Sequence, residues 1–363
     1  MARLINVKLS DNSYPIIIGS DSLAKTVEKI NRLSVSKCLL VADQNVLKYH
    51  QLLIRKTFAL LECKVFNYSF TANERNKSLA QTEDIYKFLI NNSFDRNSII
   101  VGLGGGITGD IAGFAASTFM RGIKLVQVPT TLLSMVDSSV GGKTGVNFNH
   151  QKNMIGTFYQ PEFVSIYPDF LSRLPKEELQ SGAGEIFKYS FLADKKNYDL
   201  LKNNLLKLFS IKSFNVEKTI SACLRIKANI VENDEKEITG LRKILNLGHT
   251  FAHALEVESN YKLKHGEAVI GGIFCALFLS EILGYMAEYK LNSILNDFSF
   301  IKPNKKLLLL NSEKIFSTMS GDKKNISGSK RFILAEDIGS IVVDATSDRS
   351  SVLESIEKMK KLI

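Results

Sequence analysis

Three of the five histidines in this chain fall within seventeen residues, and that clustering is the first sign of chemistry. His249-Thr250-Phe251-Ala252-His253 sets two imidazoles four residues apart, on one face of a helix. His265-Gly266-Glu267 follows after a short gap. Imidazoles joined by a carboxylate suit zinc or a neighbouring divalent metal. Glu185 can supply the carboxylate, with Lys188 on its face at i+3. A single histidine is more simply a hydrogen-bonded structural residue. Three together favour a metal, and the spacing brings His249 and His253 forward first.

A second group is rich in glycine. Gly104-Gly105-Gly106-Ile107-Thr108-Gly109 fits G-x-G-x-x-G, follows the apolar run Ser98–Leu103 and opens a helix. Glycines let the backbone approach a pyrophosphate, and a helix N-terminus offers free N–H groups. The acidic residue expected about twenty positions on is missing, since the next strand ends in Pro129-Thr130-Thr131. Asp43, at the end of an earlier strand, is the alternative ribose ligand, and Asp110 follows the loop. Taken alone, the pattern also describes an ordinary strand-to-helix turn.

The third group is cationic. Lys143 follows Gly141-Gly142, and Lys152-Asn153 comes soon after. Arg242, Asn246, His249 and His253, spaced four, three and four, read as one helical face. Such a face is costly to enclose unless it binds something polar. Dinucleotide loop, metal cluster and anion-binding cations together point to oxidation of an anionic alcohol.

Elements that would position these groups are legible in the pattern. Ile5–Leu9 and Tyr14–Gly19 read as a hairpin. Lys37–Asp43, Cys63–Phe70, Ser98–Leu103 and Lys124–Val128 read as strands, with helices near 45–60, 77–91 and 109–118. This alternation predicts a Rossmann-like, doubly wound α/β domain. After Pro168 helical periods dominate, at Lys176–Leu192, Tyr198–Phe209, Val216–Glu237, Leu245–Val257 and Glu267–Leu283. A hairpin at Arg331–Glu336 and Ser340–Asp344 follows them. The predicted organisation is an α/β domain over 1–168 and a mainly helical domain over 169–363, with a site expected in a cleft between them.

Composition narrows the class. The chain has 363 residues, 45% hydrophobic and 23% charged, with a net charge of +10. The lysines are dispersed, with no basic amphipathic helix and no aromatic-interleaved basic block, so neither nucleic acid nor membrane is an expected partner. A solvated surface explains most of the charge, and the rest would attract a small anion. The four cysteines form no Cys-x-x-Cys pair, and no signal-peptide core opens the chain. A reducing, cytoplasmic setting is expected.

Longer blocks are more specific. GGGITGDIAGFAAS, MRGIKLVQVPTTLLSMVDSSVGGKTGVN and KNMIGTFYQP lie between Gly104 and Pro161, followed by SGAGEIFKYS, LRKILNLGHTFAHALE and KHGEAV. With these, and with Asn73–Lys77 and Asp322–Lys324, the chain closely resembles the 3-dehydroquinate synthase family of sugar phosphate cyclases over nearly its whole length. The resemblance implies a homodimer, NAD, and one divalent metal, zinc before cobalt, held by Glu185, His249 and His265. His253 then faces the substrate instead. NAD ligands would be Asp43, Glu74, Lys77, Gly104, Gly105, Gly106, Asp110, Thr130, Thr131, Lys143 and Lys152, with Phe170 near the adenosine. Substrate contacts would come from Asp137, Lys143, Asn153, Lys188, Lys227, Arg242, Asn246, His253 and Lys323 or Lys324, and from Arg121 of the second subunit.

The implied activity belongs to the shikimate pathway of aromatic amino acid biosynthesis. Its substrate is 3-deoxy-D-arabino-heptulosonate 7-phosphate, a small anionic sugar acid. Oxidation at C5 acidifies the C6 proton, phosphate leaves, the hydride returns, and an intramolecular aldol step closes the ring to 3-dehydroquinate. Another cyclase of this kind, a metal-dependent polyol dehydrogenase of related fold, or a noncatalytic NAD-binding module are the competing readings. Departures from the family pattern are Gly145 for alanine, Ala183-Gly184 for leucine-alanine, and one extra residue between Glu237 and Arg242.

Overall fold

The structure is a computed structural model that describes residues 2–149, 151–210, 215–319 and 330–363. It divides into two compact units. The first comprises Met1–Pro175 and Lys227–Lys236, the second Lys176–Ile226 and Glu237–Ile363.

In the first unit, strands β1 (Arg3–Val7), β2 (Tyr14–Ile18), β3 (Lys37–Asp43), β4 (Lys64–Phe70), β5 (Ile99–Gly104), β6 (Lys124–Pro129) and β9 (Phe163–Ile166) make one sheet. Their order is β1-β2-β9-β6-β5-β3-β4. All neighbours pair in parallel except β1 with β2. Every residue of β5 and β9 is buried, as strands covered on both faces must be. Helices α1 (Ser22–Arg32), α2 (Gln44–Phe58), α3 (Leu79–Asn91) and α4 (Gly106–Thr118) connect the strands. The α2 crossover leads from β3 to β4, while α4 leads from β5 the opposite way to β6. The chain therefore reverses direction at the carboxyl ends of β3 and β5, where open α/β sheets bind ligands. Asp43 and Gly104 end those two strands.

Three features of this unit are absent from the sequence pattern. Two are α1 and strand β9, which sits inside the sheet between β2 and β6. The third is the hairpin of β7 (Lys143–Phe148) and β8 (Gln151–Phe158), where Gly145 pairs with Gly156. Five of the eight residues of β8 are exposed and none is buried, so its apolar alternation is weak.

The second unit is mainly helical. It contains α5 (Lys176–Leu192), α6 (Lys195–Phe209), α8 (His249–Glu258), α9 (His265–Ile282), α10 (Glu288–Asp297), α11 (Ser312–Thr318) and α12 (Arg349–Lys360). A hairpin of β10 (Phe332–Asp337) and β11 (Ser340–Ala345) joins them. Helix α7 (Val216–Asn233) begins here and ends in the first unit. Helix α9 is apolar and long enough to cross a membrane, but it is 78% buried and forms the core of its unit.

The predicted helix Leu245–Val257 needs correction. Leu241–Asn246 is a 3-10 turn, Gly248 sits at φ +75°, and α8 starts at His249. Arg242 and Asn246 therefore do not continue the face that carries His249 and His253. The three-four spacing survived in the sequence because it spans two helical pieces separated by a left-handed glycine.

Candidate active site

Glycine contacts assemble the metal cluster. Helix α5 crosses α9 so closely that a Cβ on Gly266 would lie 1.8 Å from the Ser181 carbonyl oxygen. A Cβ on Gly184 would lie 2.3 Å from the Gly266 carbonyl oxygen. The Gly266 amide also donates to Ser181 Oγ at 3.2 Å. This backbone contact brings Glu185 and His265, the residues next to the two glycines, face to face. Gly248 does the same for His249. Its left-handed conformation is natural to glycine, and any Cβ would meet the Ile273 amide nitrogen at 2.7 Å. Both histidines are the first residues of their helices.

Glu185 Oε1 lies 3.1 Å from His265 Nε2 and 3.5 Å from His249 Nε2, and one donor atom from each residue falls within 4.8 Å of the others. Tetrahedral ligands about 2.0–2.1 Å from zinc are about 3.3 Å apart, so the donor set fits a divalent ion. His253 packs edge-on against His249, centroids 5.6 Å apart, but stands outside this donor set. The grouping is the one the family resemblance implies, not the one the spacing favours.

Charge balance at the cluster is unusual for a buried site. Glu185 is 1% exposed and pairs with buried Lys188 one turn on. Burial opposes its charge, but Lys188, His249 and His265 prevail and hold the carboxyl well below its ordinary value. Burial lowers His249. It also works against a charged His265, yet hydrogen bonds to Glu185 and Glu256 raise that imidazole to about 10. Groups pushed in opposite directions within one cluster are a pattern found at functional sites.

Arg242 is 2% exposed, with Nε 3.7 Å from Glu237 Oε1. Asn246 is half-buried and His253 exposed. Lys323 and Lys324 lie outside the described residues.

In the first unit the expected cofactor residues form a connected polar network. Lys77 donates to Asp110 on α4 and to Asn153 on β8. Burial nonetheless leaves the Asp110 carboxyl above its ordinary value despite Lys77. Asn153 has φ +54°, a conformation asparagine tolerates better than most residues, and its amide donates to Asn147 Oδ1 at 3.0 Å. Asn147 also donates to Glu74 Oε2 at 2.8 Å, and Lys152 Nζ lies 3.5 Å from Glu74 Oε1. Asn147 thus ties Asn153 to Glu74, a link that sequence reasoning missed. No motif marks it, because its role arises only when β7 folds against the 73–77 turn.

The glycine loop matches a dinucleotide cradle. Gly105 is the N-cap of α4, with no side chain closing that end. A Cβ on Gly105 would meet Thr131 Cγ2 at 3.1 Å, and one on Gly106 would meet Ser138 Oγ at 2.9 Å. Thr130 donates its amide to the Gly104 carbonyl at 2.9 Å. Asp43 accepts from the Asn45 amide at 3.0 Å and so caps α2. Lys227 donates to both the backbone oxygen and Oδ1 of Asp137, which sits in a π-helical turn of a type frequent at functional sites. Lys143 and Arg121 are exposed, and Arg121 has φ +69°. Phe170 is buried, edge-on to His50.

Solved structures of 2-deoxy-scyllo-inosose synthase, complexed with carbaglucose-6-phosphate, NAD+ and Co2+, and of 2-epi-5-epi-valiolone synthase from Streptomyces hygroscopicus subsp. jinggangensis 5008, with NAD+ and Zn2+, share the fold. Their TM-scores are 0.86 and 0.84, at 23% and 22% identity. The matches cover 98% of this chain and 100% and 98% of those chains. The fold is that of the sugar phosphate cyclases. Family models described as 3-dehydroquinate synthase N-terminal and C-terminal match residues 67–181 and 182–325. The 3-dehydroquinate synthase of Pelagibacter ubique is 44% identical over 350 residues, 93% of this chain and 94% of that one. The chain belongs to the 3-dehydroquinate synthase family.

Proposed function

We propose that this chain is a carbon–oxygen lyase that converts 3-deoxy-D-arabino-heptulosonate 7-phosphate to 3-dehydroquinate and phosphate. The observation that carries the reading is the buried Glu185–His249–His265 donor set in a chain of this family. When bound, NAD supplies a reversible hydride acceptor and a divalent metal supplies a Lewis acid for the C5 oxygen. Two imidazoles and a carboxylate, with a position left open, are a ligand set that catalytic zinc takes.

The residues of the chain do the remaining work. Gly104–Gly106 and the amino end of α4 receive the pyrophosphate of NAD, and Asp43, at the reversal point of the sheet, receives a ribose. Glu74, Lys77, Asp110, Thr130, Thr131, Lys143 and Lys152 complete that cofactor set, with Phe170 toward the adenosine. Lys77 and Asn147 hold Asn153 in its left-handed conformation, ready to meet substrate. Lys227 fixes the Asp137 turn. Lys143 and Lys188 neutralise substrate phosphate, and Arg242, with Asn246, His253 and Lys323 or Lys324, serves the rest of the acid. The departing phosphate removes the C6 proton. The active species is a homodimer in which each subunit lends Arg121 to the other.

A redox balance tests this reading. Purified protein given the seven-carbon acid and substoichiometric NAD+ is expected to release many phosphates per NAD+, with no accumulation of NADH. One NADH per product would identify a polyol dehydrogenase instead.

A further inference from the structure

One buried carboxylate beside the metal cluster has no part in the donor set. Glu256 is the seventh residue after His249, two turns along the same face of α8. Its side chain is 6% exposed, and Oε1 lies 3.5 Å from His265 Nδ1. The other ring nitrogen, Nε2, faces Glu185 at 3.1 Å. His265 is thus held between two carboxylates on opposite edges of its ring.

The backbone keeps Glu256 in place. Its carbonyl accepts from Ser259 Oγ at 2.9 Å and from the Tyr261 amide at 2.8 Å. These two bonds close α8 and start the connection that leads to His265. Residue and target are therefore fixed at the two ends of one short connection. His249 is treated differently: its Nδ1 lies 3.2 Å from the Leu247 carbonyl, a neutral acceptor. Both histidines turn Nε2 toward Glu185, one through a carbonyl and the other through a charge.

A neutral imidazole carries its proton on either nitrogen, and only the unprotonated one ligates. A carboxylate at Nδ1 keeps the proton there, leaves the Nε2 lone pair for the metal, and makes the ring a stronger donor. His265 is the more exposed of the two histidine ligands, 34% against 10%, so packing alone orients it less. We infer that Glu256 is a positioning residue for the metal centre, fixing the tautomer and ring orientation of His265 from outside the donor set. This inference rests on the metal reading above.

The test measures Zn2+ affinity of the full chain by competition with a chromophoric chelator, and the visible spectrum of the Co2+-substituted protein. Glu256→Ala is expected to weaken Zn2+ binding about 10- to 100-fold and to shift the Co2+ bands. Glu256→Gln keeps an acceptor of the same shape but loses the charge, so it should fall between Glu256→Ala and wild type. It also carries the test should the alanine variant fail to fold. Wild-type affinity and an unshifted Co2+ spectrum in folded Glu256→Gln would overturn the inference while leaving the donor set intact. Failure of wild type to bind Zn2+, or binding that survives His265→Ala, would instead overturn the metal reading and this inference with it.

Discussion

Arg242 shows how much one side chain is asked to do. Its guanidinium is 2% exposed, with Nε 3.7 Å from Glu237 Oε1, and a buried charge of this kind belongs beside a polar or anionic group. The proposed substrate carries a carboxylate, a group absent from the carbaglucose-6-phosphate bound to 2-deoxy-scyllo-inosose synthase. A planar fork matches that group better than an ammonium does. Arg242→Lys should lower kcat/KM for the acid by roughly 10- to 100-fold, the worth of one charged hydrogen bond. Sedoheptulose 7-phosphate, which lacks the carboxylate, should be used poorly by both forms, with a smaller difference between them. A wild-type preference for the sugar without the acid would reject the substrate while leaving fold, metal and cofactor readings in place.

At the scale of elements, the donor set depends on two helix contacts more than on the ligands themselves. Glu185 and His265 meet because α5 and α9 touch at bare backbone, and His249 is aimed by the left-handed Gly248. Gly266→Ala places a methyl group 1.8 Å from the Ser181 carbonyl, so one helix must move away. The expected loss is about 1–3 kcal/mol of stability, with weaker metal binding as Glu185 and His265 separate. Thermal unfolding with and without Zn2+ checks both effects. An alanine variant with wild-type melting and full metal content would show that this contact does not position the ligands. The sequence displayed the glycines on either side of Ala183 and after His265, but not that they meet.

For the whole molecule, the proposed exchange of Arg121 between subunits is the sharpest expectation. Met120 and Arg121 both occupy left-handed conformations, at φ +49° and +69°, on an exposed turn after α4. Strain of this kind persists where the surroundings hold it for a purpose. Arg121→Ala and His265→Ala should each be inactive alone. Mixed in equal amounts after dissociation, they should regain about a quarter of wild-type activity, since half the dimers then carry one complete site of two. No recovery on mixing would mean that Arg121 acts within its own protomer or not at all.

The sequence by itself determined the α/β-then-helical architecture, because alternating buried strands and long amphipathic helices leave periodic apolar patterns. Lys37–Asp43 and Lys176–Leu192 appear in the structure with the bounds their patterns suggest. It also determined the family, through long blocks whose polar residues have no structural reason to occur together. The structure decided which carboxylate meets which histidine, and it replaced the single Arg242–His253 face with two pieces broken at Gly248. It alone revealed the β7–β8 hairpin, the Asn147 clamp and the approach of Glu256 to His265. The physical reason is range. Periodicity reports which face of a single element is buried, whereas a close backbone crossing or a buried ion pair joins residues whose positions in sequence carry no sign of each other.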